Sequence, residues 1–160
     1  MSDTTTSKKV IIVGDGGVGK SALINKFKTE KFIKQYIPTM GAEVHPINVG
    51  NHCIKFWDTA GQEKFSGLRQ GYYIESDMAI VMYDNTSRLS HKNVNYWIRS
   101  VQRVCPNIPI LVVRNKVDLP GKKDNICGIE NGPISVRTGE NIDRLLTIID
   151  TILYPMHSKW

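Results

Sequence analysis

The stretch Gly14-Asp15-Gly16-Gly17-Val18-Gly19-Lys20-Ser21 constrains this 160-residue chain more than any other feature. It fits G-x-x-x-x-G-K-[ST] and stands between a strand-like segment, Lys8–Val13, which alternates and then runs apolar, and a helical pattern, Ser21–Lys28, with Leu23, Ile24 and Phe27 on one side. A strand that turns through glycines into a helix points successive backbone N–H groups inward, and the helix dipole adds positive potential. The product is an anion cradle suited to phosphate. Its candidate ligand-binding residues are Asp15, Gly16, Gly17, Val18, Gly19, Lys20, Ser21 and Ala22. Lys20 is placed to reach β- and γ-phosphates, and the Ser21 hydroxyl to ligate Mg²⁺.

The remaining pattern alternates strands with helices. Glu43–Val49 and Cys53–Asp58 are β-like runs joined at Gly50-Asn51, a hairpin signal. Met78–Tyr83 and Ile108–Val113 are continuous apolar runs of strand length, as in strands covered on both faces. Val94, Trp97, Ile98, Val101 and Val104 follow helical spacing with Ser90 as a cap, and Ile142, Leu145, Leu146, Ile149, Ile152 and Leu153 repeat that spacing near the end. The expected architecture is α/β: a mostly parallel, six-stranded sheet with one antiparallel edge hairpin and helices on both faces. One domain is expected over residues 8–154, with flexible ends at 1–7 and 155–160.

Composition narrows the classes further. With 41% hydrophobic and 22% charged residues the chain can bury one core, which excludes a disordered or fibrous protein. No apolar run nears the roughly 20 residues of a membrane helix, and the first residues lack a secretory-type apolar stretch. Ser2 in place of Gly, and no Cys among the last four residues, predict no lipid anchor. Cys53, Cys105 and Cys127 are odd in number and widely spaced, which reads as reduced thiols of an intracellular protein. His45, His52, His91 and His157 show no metal-ligand spacing, and His45 reads as a packed or edge histidine. The formal net charge is +6, and Arg88 to Val117 carries Arg88, Lys92, Arg99, Arg103, Arg114 and Lys116 without an acid. Such a stretch is either a solvated face or an attractant for an acidic partner or RNA.

Two further motifs follow strands. Asp58-Thr59-Ala60-Gly61 ends the second β run, where the acid can hold Mg²⁺ through water and the Gly61 N–H can meet a γ-phosphate. Gln62 comes next, where an amide side chain could orient an attacking water. Asn115-Lys116-Val117-Asp118 follows the Ile108–Val113 run. A carboxylate there can accept N1–H and the exocyclic amine of guanine, donors that adenine lacks, and a mismatch of that kind can discriminate about 10⁴-fold. Three motifs in this order argue for guanine-nucleotide binding.

With these motifs the chain resembles the Ras superfamily of small GTPases, P-loop proteins, and within it the Ran-like nuclear-transport branch. The residues that carry the closer likeness are Gly41-Ala42-Glu43-Val44-His45-Pro46, Trp57 through Phe65, Gly67-Leu68-Arg69 with Gly71-Tyr72-Tyr73-Ile74, Thr86-Ser87-Arg88 and Lys92-Asn93-Val94. The match is close from Lys8 to Asp118 and looser to Leu153. The resemblance implies that Thr39 binds Mg²⁺ alongside Ser21 and Asp58, that Phe32 lies against guanine and that Tyr36 flanks the phosphates. It implies hydrolysis of GTP by Gln62, Lys20 and Thr39, and base contact through Ser135, Val136 and Arg137. It further implies an activating protein, an exchange factor, importin-β-type receptors, a monomeric state, nuclear and cytoplasmic residence, and no direct DNA binding.

Departures from that pattern are local. The final motif, usually Ser-Ala-Lys, is Ser135-Val136-Arg137, and Arg114 replaces the usual small residue before Asn115. The segment from Asp118 to Ser135 is shorter than the family norm, which predicts a trimmed helix. The basic patch of that region is reduced to Lys122 and Lys123, and the sequence closes on His157-Ser158-Lys159-Trp160 without the branch's acidic tail. These departures motivate a second reading, a GTP-binding adaptor or decoy with little hydrolysis that captures Ran partners. A P-loop ATPase or kinase is disfavoured by Asn115, Lys116 and Asp118.

Overall fold

The structure is a computed structural model that describes residues 6–28, 35–37, 42–59, 69–121 and 130–156. In chain order its elements are β1 (Lys8–Val13), α1 (Lys20–Phe27), β2 (Gln35–Ile37), β3 (Ala42–Val49), β4 (His52–Asp58), α2 (Arg69–Tyr73), β5 (Met78–Asp84), α3 (Arg88–Lys92), α4 (Val94–Val104), β6 (Ile110–Asn115), β7 (Glu130–Pro133) and α5 (Ile142–Leu153). The strands form one sheet in the order β2-β3-β4-β1-β5-β6-β7. The expected six-stranded, mostly parallel sheet is present as β3-β4-β1-β5-β6-β7, and the three-residue β2 extends its antiparallel edge. Every pairing from β4–β1 to β6–β7 is parallel.

Both faces of the sheet are covered. Val10 and Ile12 of β1 face one core with Leu23, Ile24, Phe27, Leu145 and Ile149 of α1 and α5. Ile11 and Val13 face the other with Tyr72, Tyr73, Val94, Trp97 and Val101. This alternation explains the apolar runs Val10–Val13 of β1 and Met78–Tyr83 of β5: each has two dry sides. The C-terminal helix is fastened to the hairpin. The His52 ring stacks on Tyr154 with centroids 3.9 Å apart, its Nδ1 lies 2.7 Å from Asp150 Oδ1, and the Tyr154 hydroxyl lies 3.0 Å from the Cys53 carbonyl oxygen.

Three local expectations shift. Ser90 is not the cap: Ser87 accepts from the Ser90 N–H, and the buried Ser90 hydroxyl bonds the Ser87 carbonyl instead. The helix breaks at Asn93, which closes α3 and starts α4. The β6 strand runs two residues beyond the apolar run, because Arg114 and Asn115 pair with Tyr83 and Asp84 of β5. The expected trimmed helix falls on residues 122–129, outside the described residues. Among the described residues, no helix is long and apolar enough to cross a membrane.

Candidate functional site

The loop from Gly14 to Gly19 leaves β1 at the middle of the sheet and enters α1. A Cβ on Gly14, whose φ is +147°, would press into the Met82 carbonyl oxygen of β5. One on Gly19 would meet the Asn115 side chain. Both glycines are therefore required by the closeness of neighbouring chain. Gly19 caps α1 from the left-handed region and has no side chain to satisfy the helix's first amides, which suits them to an incoming anion.

Lys20 is buried yet aimed at the loop. Its Nζ donates to the carbonyl oxygens of Gly14 at 2.6 Å and Asp15 at 2.9 Å. An ammonium held over the loop's rim adds positive charge where an anion would seat. At the first turn of α1, Ser21 Oγ donates to Asp58 Oδ2 at 2.6 Å, so two motifs 37 residues apart meet. Asp58 is held at the end of β4 by its neighbours: Tyr72 donates its hydroxyl proton to the Asp58 carbonyl at 2.6 Å, and Thr59 Oγ1 donates to the Ile12 carbonyl. A hydroxyl and a carboxylate side by side at a helix N-terminus are hard oxygen donors of the kind Mg²⁺ takes. On that chemistry Ser21 and Asp58 fit the ion.

The base-side motif is brought against the same loop by β6. Buried Asn115 donates from Nδ2 to the Val18 carbonyl at 2.9 Å and accepts the Val136 N–H on Oδ1 at 3.1 Å. Lys116, at φ +64°, spans from the Gly17 carbonyl at 3.0 Å to Asp84 Oδ2 at 2.8 Å. Burial alone would raise the Asp84 pKa, but Lys116 and two bonds from Thr86 hold it below the ordinary value. Ser135 Oγ donates to Asp118 Oδ1 at 2.8 Å and accepts the Thr138 N–H, which leaves Asp118 exposed at the rim with its orientation set. Arg137 points to solvent.

Fifteen of the expected site residues thus lie in described structure, and the loop, Ser21–Asp58 and Asn115–Ser135 groups converge. Two of the fifteen differ in detail from expectation. The carboxylate of Asp15 is turned out of the cradle onto α4, where it accepts from Asn93 Nδ2 and Trp97 Nε1, each at 2.8 Å. The Val136 N–H is committed to Asn115, so any contact it makes with a base shares that bond. Phe32, Thr39, Gly61 and Gln62 lie outside the described residues. Tyr36 is described only as backbone in β2.

Sequence reasoning missed three groups. Asp84, one residue beyond the apolar run Met78–Tyr83, was not singled out, though it is the anchor of Lys116. Asn93 entered only through the family likeness and Trp97 only through the apolar helical spacing, although their separation of four already put both on one helix face. The third is Glu43, His45 and Asp58, whose ligating atoms all lie within 4.8 Å of one another. Strand alternation puts Glu43 and His45 on one face, and the register sets Glu43 opposite Asp58. His45 is buried, with Nε2 3.4 Å from Glu43 Oε2 but without hydrogen-bond geometry at either ring nitrogen. Burial, then Lys28, lowers its pKa against the opposing pull of Glu43 and Asp58.

Among known families, the Ras family model matches residues 9–148, a span from β1 into α5.

Proposed function

Because the chain belongs to the Ras family of small GTPases, we propose that it is a Ran-like member, a GTP/GDP-controlled switch acting in nucleocytoplasmic transport. Ras-family proteins bind GTP and GDP, typically with Mg²⁺, and respond to activating proteins and exchange factors. The observation that most supports nucleotide binding by this chain is the knot at Asn115, which joins the phosphate loop at Val18 to the base-side turn at Val136. It sets the Gly14–Ser21 loop beside the Asn115–Asp118 turn at the carboxyl end of the sheet, where open α/β folds bind ligands.

In this reading the amides of Gly16 to Ser21 and the Lys20 ammonium hold the β- and γ-phosphates. Asp118 selects guanine, with Lys116 lying along the loop, and Ser135, Val136 and Arg137 complete the base pocket. Ser21 and Asp58, with Thr39, would hold Mg²⁺, which supplies charge neutralisation on the phosphate oxygens when bound. Gln62 orients the attacking water, and Phe32 and Tyr36 flank the nucleotide. Such catalysis is positioning plus electrostatics, so intrinsic turnover is expected to be slow, with intrinsic Ras hydrolysis at about 10⁻⁴ s⁻¹ as the benchmark, and faster with an activator. The Ran-like assignment, with importin-β-type receptors and nuclear and cytoplasmic residence, rests on the sequence likeness at Gly41 through Pro46, Trp57 through Phe65, Gly67 through Ile74, Thr86-Ser87-Arg88 and Lys92-Asn93-Val94.

Equilibrium binding of fluorescent GDP with Mg²⁺, competed by GTP, GDP and ATP, tests the site. Displacement by guanine nucleotides alone supports it, and weak or unselective binding overturns it. Phosphate release then separates a switch from an adaptor: release that is lost in Gln62→Leu supports the switch, and none with or without an activator supports the adaptor. Capture of importin-β-type receptors by the GTP-loaded form only is the test of the transport role.

A further inference from the structure

Asp15 is the one acid within Gly14–Ser21, and it stands beside the amides that would receive a polyanion. A carboxylate facing into that cradle would oppose phosphate, yet this one is fully engaged elsewhere. Oδ2 accepts from Asn93 Nδ2 and Oδ1 from Trp97 Nε1, both at 2.8 Å. The two donors stand four residues apart on one face of α4 and grip the two oxygens like a fork.

The donors are themselves fixed. Trp97 is 6% exposed and belongs to the core beneath β1 and β5. Asn93 is pinned by its own backbone, whose N–H bonds the Leu89 carbonyl and whose carbonyl takes the Trp97 N–H, each at 3.1 Å. A loop with glycines at 14, 16, 17 and 19 has little conformational stiffness of its own. Neutral donors on a rigid helix supply that stiffness and satisfy the charge without adding a cation to the site.

We propose that Asn93 and Trp97 are positioning residues for nucleotide retention: by holding the Asp15 carboxylate on α4 they keep its charge out of the phosphate cradle and hold the loop amides inward. The inference rests on the guanine-nucleotide reading above, and it assigns α4 a part in how long nucleotide stays bound.

The experiment preloads the protein with fluorescent GDP and follows its release into excess GDP. Bonds to a charged group carry enough free energy that Asn93→Ala should release GDP several-fold faster and Asn93→Ala with Trp97→Phe about tenfold faster or more. Adding Asp15→Ala to the double variant should restore much of the slow release, because no carboxylate is left to turn inward. Release within about twofold of the parent in both variants overturns the proposal, as does an Asp15→Ala that slows nothing back.

A second readout needs no nucleotide. The Trp97 indole N–H signal in a ¹⁵N spectrum should move on Asp15→Ala and exchange faster with solvent. An unmoved signal shows that the bond is not made in solution and sinks the idea. If the parent protein fails to bind GDP while the indole signal responds as expected, the nucleotide reading falls and takes the retention role with it, leaving only a structural tie.

Discussion

The two halves of the site reach the same end by different means. On the loop side the backbone does the work: Gly14 sits hard against the Met82 carbonyl and Gly19 against the Asn115 side chain. On the base side the work falls to side chains, since Asn115, Lys116, Asp118 and Ser135 each make a directed bond that fixes a turn. A backbone site is lost when a Cβ enters the wrong place and is indifferent to most side-chain changes elsewhere. A side-chain site is lost one functional group at a time. The halves meet where Asn115 and Lys116 donate to the carbonyls of Val18 and Gly17.

The strongest way to break the comparison is at its backbone half. Gly14→Ala would drive a methyl group into the Met82 carbonyl at a φ of +147° that side chains rarely adopt. We expect a loss of about 3 kcal/mol or more, from strain plus overpacking, seen as a large fall in Tm or failure to purify as a folded protein. A stable Gly14→Ala protein would mean that the loop and β5 are not in contact in solution.

Next comes the joint between the halves. Asn115→Ala leaves the Val18 carbonyl and the Val136 N–H without their partner in a buried setting. The expected cost is about 2–3 kcal/mol, from two unmade bonds, measured by urea unfolding. The two halves should then be disturbed together, with hydrogen exchange rising at both Val18–Gly19 and Val136. Exchange that rises at one alone would show the halves to be independent.

This division also decides what could be read from the sequence. The phosphate loop was legible because a backbone site needs glycines at fixed spacing, and Gly14 through Ser21 prints that spacing directly. The covered strands were legible for a similar reason, as Met78–Tyr83 admits no polar residue on either face. From residue spacing the base side was legible only at Asn115–Asp118, where the contributing residues are contiguous, and Ser135, Val136 and Arg137 entered through the resemblance. Its partners Asp84 and Ser135 lie on other strands and turns, and no local spacing announces that β5, β6 and β7 are neighbours. The fork of Asn93 and Trp97 on Asp15 spans 78 and 82 residues. Only the packing of α4 under the loop reveals it. The edge strand β2 escaped notice because three residues make no period.

A smaller effect sharpens the side-chain half. Asp84 is held below its ordinary pKa of 3.8, the pull of Lys116 and Thr86 outweighing the opposite effect of burial. A carboxylate whose folded pKa lies below its unfolded one contributes stability above the unfolded value and loses it as pH falls through the folded one. Asp84→Asn should therefore cost about 0.5–1 kcal/mol at neutral pH, discounted for the exposure of Lys116. The gap to the parent should close as pH drops below about 4, where the parent loses the same charge. A gap that stays constant on acidification would remove the ion pair from the account.

The smallest effect carries the sharpest contrast, because it falls two residues from the largest. Gly16 has no left-handed φ, and a Cβ placed on it meets nothing within 4 Å. Gly16→Ala should leave stability unchanged or raise it by about 0.4–1 kcal/mol, since alanine restricts the unfolded chain without straining the folded one. That is a sign opposite to Gly14→Ala inside one loop. The comparison belongs in protein without added nucleotide, by thermal unfolding. If stability holds there while GDP affinity falls, the added methyl occupies phosphate space, and the open side of the loop is the binding side. If stability falls as well, Gly16 is held by the fold rather than reserved for a ligand, and the backbone half of the site is tighter than its open face suggests.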